Sequence, residues 1–129
     1  MIHIKRMHHI AVICSDYERS KRFYTHVLGF KMDAEVYRDK RRSFKADLSL
    51  NGHYLIELFS FPDPPKRSTN PEATGLRHIA FEVEDVEEVV KTLATEHIIA
   101  EAVRVDEFTG KKFTFIADPD GLPVEFYES

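Results

Sequence analysis

The stretch Tyr54-Leu55-Ile56-Glu57-Leu58-Phe59 sets one carboxylate in an otherwise apolar, strand-like run. Side chains alternate along an extended chain, so Leu55, Glu57 and Phe59 share a face. A charge in such a place needs a reason. Pro123-Val124-Glu125-Phe126-Tyr127 threads a second carboxylate through a second apolar strand. Two strands of this kind point to an internal repeat.

A shift of 69 residues tests that idea: it lays His9-Ile10-Ala11 on His78-Ile79-Ala80, Asp16 on Asp85, Glu18 on Glu87 and Gly52 on Gly121. Matches in the same order along the whole chain mark a duplicated unit. His9 precedes Glu57 by 48 residues and His78 precedes Glu125 by 47, so the pairs correspond with one residue of slack. Each unit therefore supplies one His and one Glu. His8 falls on Arg77 in this register and is read as lying on the other face of its strand.

The repeat also organises the expected elements. Met7 to Cys14 reads as a strand covered on both faces, followed by a helix over about residues 16 to 28 that Ser15 and Glu18 cap and Gly29 ends. Strands at Phe30 to Tyr37 and Ser43 to Leu50 follow, and Asn51-Gly52 turns the chain into the Glu57 strand. Four prolines in the polar stretch 62–72 make a stiff linker that divides the chain almost in half. Beyond it come a strand at Leu76 to Val83 and a helix with Val86, Val89, Val90, Leu93 and Ala94 on one side, capped by Asp85 and Glu88. Strands at Glu101 to Asp106 and Lys111 to Ala117 lead through Asp118-Pro119-Asp120-Gly121 into the Glu125 strand. The expected class is α+β, with two βαβββ modules at 6–61 and 76–129 joined by a linker at 62–75 in one domain.

Composition narrows the function. A formal net charge of −4 and a pI near 6.0 leave no electrostatic footprint for nucleic acid, and no apolar run is long enough to span a membrane. The expected partner is a small molecule or a protein. One cysteine, Cys14, excludes an internal disulfide, and the opening residues carry no apolar stretch of a signal peptide, so a reducing cytoplasm is the expected setting. Cys14 lies in an apolar run and reads as a buried structural thiol.

Two ligands hold a divalent ion weakly, whereas two related units together offer two imidazoles and two carboxylates. Such a set suits a first-row divalent metal and leaves octahedral positions open for water or substrate. Each residue also has a plainer reading: a histidine satisfied in the core, or a glutamate facing solvent or paired with a basic residue. Matched placement in both units favours His9, Glu57, His78 and Glu125 as ligands, because a metal offsets the cost of carboxylates in an apolar sheet.

These units, with His8-His9-Ile10-Ala11, Arg77-His78-Ile79-Ala80, Ile56-Glu57-Leu58 and the Asp118-Pro119-Asp120-Gly121 turn before Val124-Glu125-Phe126, resemble the vicinal-oxygen-chelate superfamily. The chain most resembles its short glyoxalase I (lactoylglutathione lyase) branch. The resemblance implies a curved-sheet cup around one metal held by His9, Glu57, His78 and Glu125, and a homodimer. It favours Ni or Co, with Zn, Fe and Mn as alternatives. It implies isomerisation of a hemithioacetal of a 2-oxoaldehyde to a thioester, with Glu125 as the base and Glu57 as second candidate. Glutamate at 57 separates this branch from epimerase-like members, which usually have Gln there, and from fosfomycin-modifying and dioxygenase members, which use two His and one Glu.

The thiol half of the substrate is less legible. Glutathione-dependent members commonly carry Arg four residues after the first ligand, where this chain has Ile13. They also tend to have Asn-Trp-Gly after the first Glu, where this chain has Phe59-Ser60-Phe61-Pro62 and no Trp at all. The cationic run Arg38, Lys40, Arg41, Arg42 and Lys45 is an alternative anion site, or a solvated loop. Phe108 and Phe113 near the Thr109-Gly110 turn either line a cup entrance or pack in the core. The alternatives to a glyoxalase are a metal-free module that binds a bleomycin-type antibiotic, and an epimerase or dioxygenase using the same metal.

Overall fold

The computed structural model describes all of residues 1–129, which fall into two compact units, Met1–Pro65 and Lys66–Ser129. The first holds β1 (Ile10–Cys14), α1 (Tyr17–Arg22) continuing as a wider π turn (Phe23–Val27), β2 (Lys31–Arg38), β3 (Ser43–Leu50) and β4 (His53–Ser60). The second holds β5 (Ile79–Val83), α2 (Val86–Thr95), β6 (Arg104–Val105), β7 (Lys112–Ala117) and β8 (Pro123–Glu128). Each unit is thus a βαβββ module with a four-stranded mixed sheet, ordered β1-β4-β3-β2 in one and β5-β8-β7-β6 in the other.

The first and last strands of each unit pair in parallel and the remaining pairs are antiparallel. The intervening helix makes the parallel pairing possible, since such a connection needs a crossover. One face of each sheet is apolar and buried: Val12, Cys14, Ala46, Leu48, Ile56 and Leu58 in the first unit, Ile79, Ile116, Val124 and Phe126 in the second. Each large aliphatic among them contributes on the order of 1.5–3 kcal/mol by leaving water. The alternate residues, Glu57 and Glu125 included, stand on the opposite face.

Several elements differ from the sequence reading. Asp16, and not Ser15, caps α1, accepting from the Arg19 N–H at 3.1 Å, just as its repeat partner Asp85 accepts from Glu88 at 3.2 Å. β1, an edge strand bonded to β4 alone, is covered on one face only, with Val12 and Cys14 buried and Ile13 at 55% exposure. β1 and β5 start at Ile10 and Ile79, so His9 and His78 sit just ahead of their strands. β6 covers only Arg104–Val105 of the expected 101–106; at its end Asp106 leaves the ladder for a turn, bonding Lys111 and Gly110 through its backbone and Phe108 through its side chain.

Candidate metal centre

The parallel ladders bring each His to its Glu. In the first unit Ala11 pairs with Glu57, so His9, two residues earlier, shares the face of Glu57. Its Nε2 lies 3.8 Å from Glu57 Oε1. In the second unit Ala80 pairs with Glu125 and His78 stands in the same relation, with Nε2 3.1 Å from Glu125 Oε2. The turn before β8 fixes that register. Asp118 is buried and its Oδ1 accepts from the N–H groups of Asp120 and Leu122, while Gly121 takes a φ of 91° that favours glycine.

The two pairs differ in their surroundings. A bulge in the β3–β4 hairpin adds one residue to β4, so Asp47 stands opposite Glu57. Lys45 Nζ reaches Asp47 at 2.7 Å and Glu57 at 3.4 Å, and the Tyr54 hydroxyl lies 3.1 Å from Glu57 Oε2 and 3.3 Å from Asp47 Oδ1. Burial first, then the Asp47 and Glu57 carboxylates, push the Tyr54 phenol above its ordinary range, so it remains a donor. The hydrogen bond that Lys45 donates to Asp47 is the main cause that raises the Lys45 pKa, so Lys45 stays cationic. In the second unit Phe115 stands opposite Glu125, and His78 meets its ring edge-on at 5.2 Å. Glu125 lacks the Lys and Tyr donors that engage Glu57.

Two neighbours of the first pair, Tyr54 and Asp47, have no role in the sequence reading, and His8, expected on the other face of its strand, instead lies against His9 and Tyr54 because it precedes β1. Tyr54 stacks on His9 with ring centroids 5.2 Å apart, and His8 packs edge-on against both rings. His8 Nδ1 and His9 Nδ1 are 2.8 Å apart, so one of them must carry the proton. Donation from His9 Nδ1–H to His8 leaves a lone pair on His9 Nε2, the tautomer a ligand requires. Lys45 was read only as part of a cationic run. Of that run, Arg38 is also engaged: its guanidinium lies over Phe59 at 4.7 Å and donates to Ser43 at 2.9 Å. Phe113 stacks on Tyr127, whereas Phe108 is 88% exposed.

No group of three or more His, Cys, Asp or Glu side chains that could hold a metal ion is gathered in the structure. Each unit offers one imidazole and one carboxylate on a shared face, donor types that suit a divalent ion, and the buried Nδ1 of His78 has no hydrogen-bond partner. No helix is long and apolar enough to cross a membrane.

Comparison with known proteins agrees with this architecture. The chain is 59% identical over 125 residues to the uncharacterized protein YwkD of Bacillus subtilis, covering 97% of this chain and 98% of that one. It is similar to the crystal structure of a glyoxalase family protein from Enterococcus faecalis, at 47% identity and a TM-score of 0.89 over 96% of this chain and 98% of that one. The trypanothione-dependent glyoxalase I of Leishmania major matches at 25% identity and a TM-score of 0.73, over 97% of this chain and 87% of that one. The family model of the glyoxalase/bleomycin resistance protein/dioxygenase superfamily matches residues 6–126, and the chain belongs to that superfamily.

Proposed function

We propose that the chain is a metal-dependent glyoxalase I-type lyase, isomerising the hemithioacetal of a 2-oxoaldehyde and a thiol to a 2-hydroxy thioester. The observation that carries this reading is the repeated pair. One imidazole and one carboxylate share a face at matched places in both units, the second pair at 3.1 Å beside a buried ring nitrogen without a partner. In this reading His9, Glu57, His78 and Glu125 hold one divalent ion, with Ni or Co favoured and Zn, Fe or Mn compatible. When bound, the ion supplies Lewis-acid polarisation of two adjacent substrate oxygens. The likeness to the Leishmania glyoxalase I supports the reaction class.

Glu125 is the base. Glu57 accepts from Tyr54 and pairs with Lys45, which occupies its lone pairs, whereas Glu125 faces the Phe115 ring and has the His78 imidazole 3.1 Å away. A carboxylate less engaged by donors is better placed to remove a proton. Glu125 takes the hydrogen of the hydroxyl-bearing carbon as a proton and returns it to the neighbouring carbonyl carbon. The electron pair released from the C–H bond ends in a new C–H bond one carbon away. The hydroxyl proton passes to the old carbonyl oxygen, so the old hydroxyl becomes the thioester carbonyl, the old carbonyl becomes the 2-hydroxyl, and no atom is gained or lost. The proposed setting is cytoplasmic and the proposed acting form a homodimer.

The test is turnover of methylglyoxal with several thiols, together with metal analysis of the purified protein. Glu125→Gln keeps the shape and removes the base, so turnover falls by about 10²–10⁴-fold with an unchanged circular dichroism spectrum. Undiminished turnover by that variant overturns the base assignment. Protein that binds no divalent ion overturns the reading as a whole and favours the metal-free binding module.

A further inference from the structure

The second unit contains a cavity of about 360 Å³ that opens beside His78. Its walls come from three places: the segment with Thr69, Glu72 and Arg77, the β6–β7 edge with Arg104 and Phe115, and the turn at Gly121. The first wall is organised by Arg67, which pairs with Glu72, donates to the Thr69 hydroxyl at 2.9 Å and reaches the carbonyls of Leu76 and Arg77 at 3.1 and 3.3 Å. Thr69 in turn reaches the Gly121 carbonyl at 3.5 Å. These bonds tie the chain leading into His78 to the turn that leads into β8.

Two arginines, Arg77 and Arg104, are among the residues that line this cavity, and both are exposed. Arg104 lies over the faces of Phe113 and Phe115, 4.9 and 5.8 Å from their centroids. Stacking uses the face of a guanidinium and leaves N–H groups along its edge for a planar or tetrahedral oxyanion. The carboxylates of the same cavity are Glu72 and Glu101. Arg67 neutralises Glu72, and Glu101 meets Arg104 at 3.4 Å with both side chains more than half exposed, a pair that costs little to displace.

We infer that this cavity is the acid subsite of the substrate: Arg104, with Arg77, binds a carboxylate or phosphate group on the molecule whose reacting end lies at His78 and Glu125. The inference rests on the proposed isomerase for the position of the reacting end, but the oxyanion site itself does not. It also replaces the cationic run near Arg38, whose Arg38 and Lys45 are occupied within the first unit, as the place where a charged thiol is recognised.

Titration of the full chain with inorganic phosphate and with succinate, followed by the Nε–Hε NMR signals of its arginines, tests the site directly. Saturable shifts of Arg77 and Arg104 are expected, with the tighter of the two probes showing whether phosphate or carboxylate is the natural group. Arg104→Gln weakens binding about fivefold and Arg77→Gln/Arg104→Gln abolishes saturation, while Lys111→Gln, at an exposed residue outside the cavity, leaves it unchanged. Absence of saturable shifts in the natural chain, or equal binding by the double variant, overturns the inference. In a second arm, Arg104→Gln raises KM for the hemithioacetal of glutathione and not for that of neutral 2-mercaptoethanol; an equal rise for both also overturns it. If the natural chain turns over neither adduct, the isomerase reading fails, and the phosphate and succinate titration still decides the subsite.

Discussion

At the scale of single residues, the two His/Glu pairs are related by the repeat but not by environment, and their neighbours divide the work. His8 Nδ1 lies 2.8 Å from His9 Nδ1, and a His9 that donates this bond keeps its Nε2 lone pair for a metal. Partners of this kind are worth about 10–100-fold in metal affinity, so His8→Ala is expected to weaken metal binding by that factor in a competition titration with a chelator. Equal affinity would remove His8 from the site. Lys45 acts in the opposite sense, because its ammonium already sits 3.4 Å from Glu57. Lys45→Met deletes a positive charge that an incoming cation must tolerate, and metal binding tightens by up to about fivefold, the range of a partly exposed ion pair. The sequence made the histidines and glutamates visible through their spacing. It hid Asp47, because strict pairing from the Asn51-Gly52 turn would set Glu57 opposite Ala46. The extra residue of the bulge makes Asp47 its neighbour, and nothing in the pattern of apolar residues announces a bulge.

At the scale of elements, the same kind of one-residue adjustment reshapes the first helix. Its apolar spacing reads as continuous α-helix, yet after Arg22 the chain widens into a π turn, with the Leu28 N–H donating to Phe23 C=O at 3.0 Å and the Thr25 hydroxyl to Lys21 C=O at 2.7 Å. The widened turn allows the adjacent Phe23 and Tyr24 both to be buried, at 6% and 0% exposure, which a regular α-helix does less readily. The capping aspartates were legible for the second helix and misplaced by one residue for the first, since Ser15 and Asp16 are both good caps and backbone conformation chooses between them. α1 is tied to β2 by Glu35, which accepts from Tyr17 and pairs with Lys21 at 2.8 Å. The Lys21 hydrogen bond, then the Tyr17 one, holds the Glu35 carboxyl below its ordinary value of 4.5. A lowered native value gives stability that is present above the unfolded value and lost as pH falls through the native one. Glu35→Gln is therefore expected to melt about 2 °C lower than the natural chain at pH 7. The gap closes as pH falls below 4.5 and past the lowered value; a gap that stays constant with pH would show that the charge of Glu35 contributes nothing.

At the scale of the molecule, the class of fold and the order of elements were readable because the hydrophobic pattern was written twice, and each copy corrected ambiguities in the other. Strand ends were less readable. Edge strands such as β1 and β6 stop where pairing stops, a property of the partner strand more than of their own residues. The repeat also sets a sharp test of the proposed centre, because two related pairs can be counted by stoichiometry. If His9, Glu57, His78 and Glu125 serve one ion, metal-saturated protein carries one ion per four-residue set. Removing either pair then abolishes the entire metal-dependent stabilisation. With metal at a hundredfold excess over Kd that stabilisation is about 2.7 kcal/mol, read as the difference in melting temperature before and after chelation. If each pair bound its own ion, His9→Ala/Glu57→Ala would keep the contribution of His78 and Glu125, and His78→Ala/Glu125→Ala would keep the other. The expected outcome is that both double variants melt at the temperature of the chelated natural chain and no longer respond to chelator. A residual chelator-sensitive shift in either variant would mean that the two units hold metal independently, and that the four residues are not one centre.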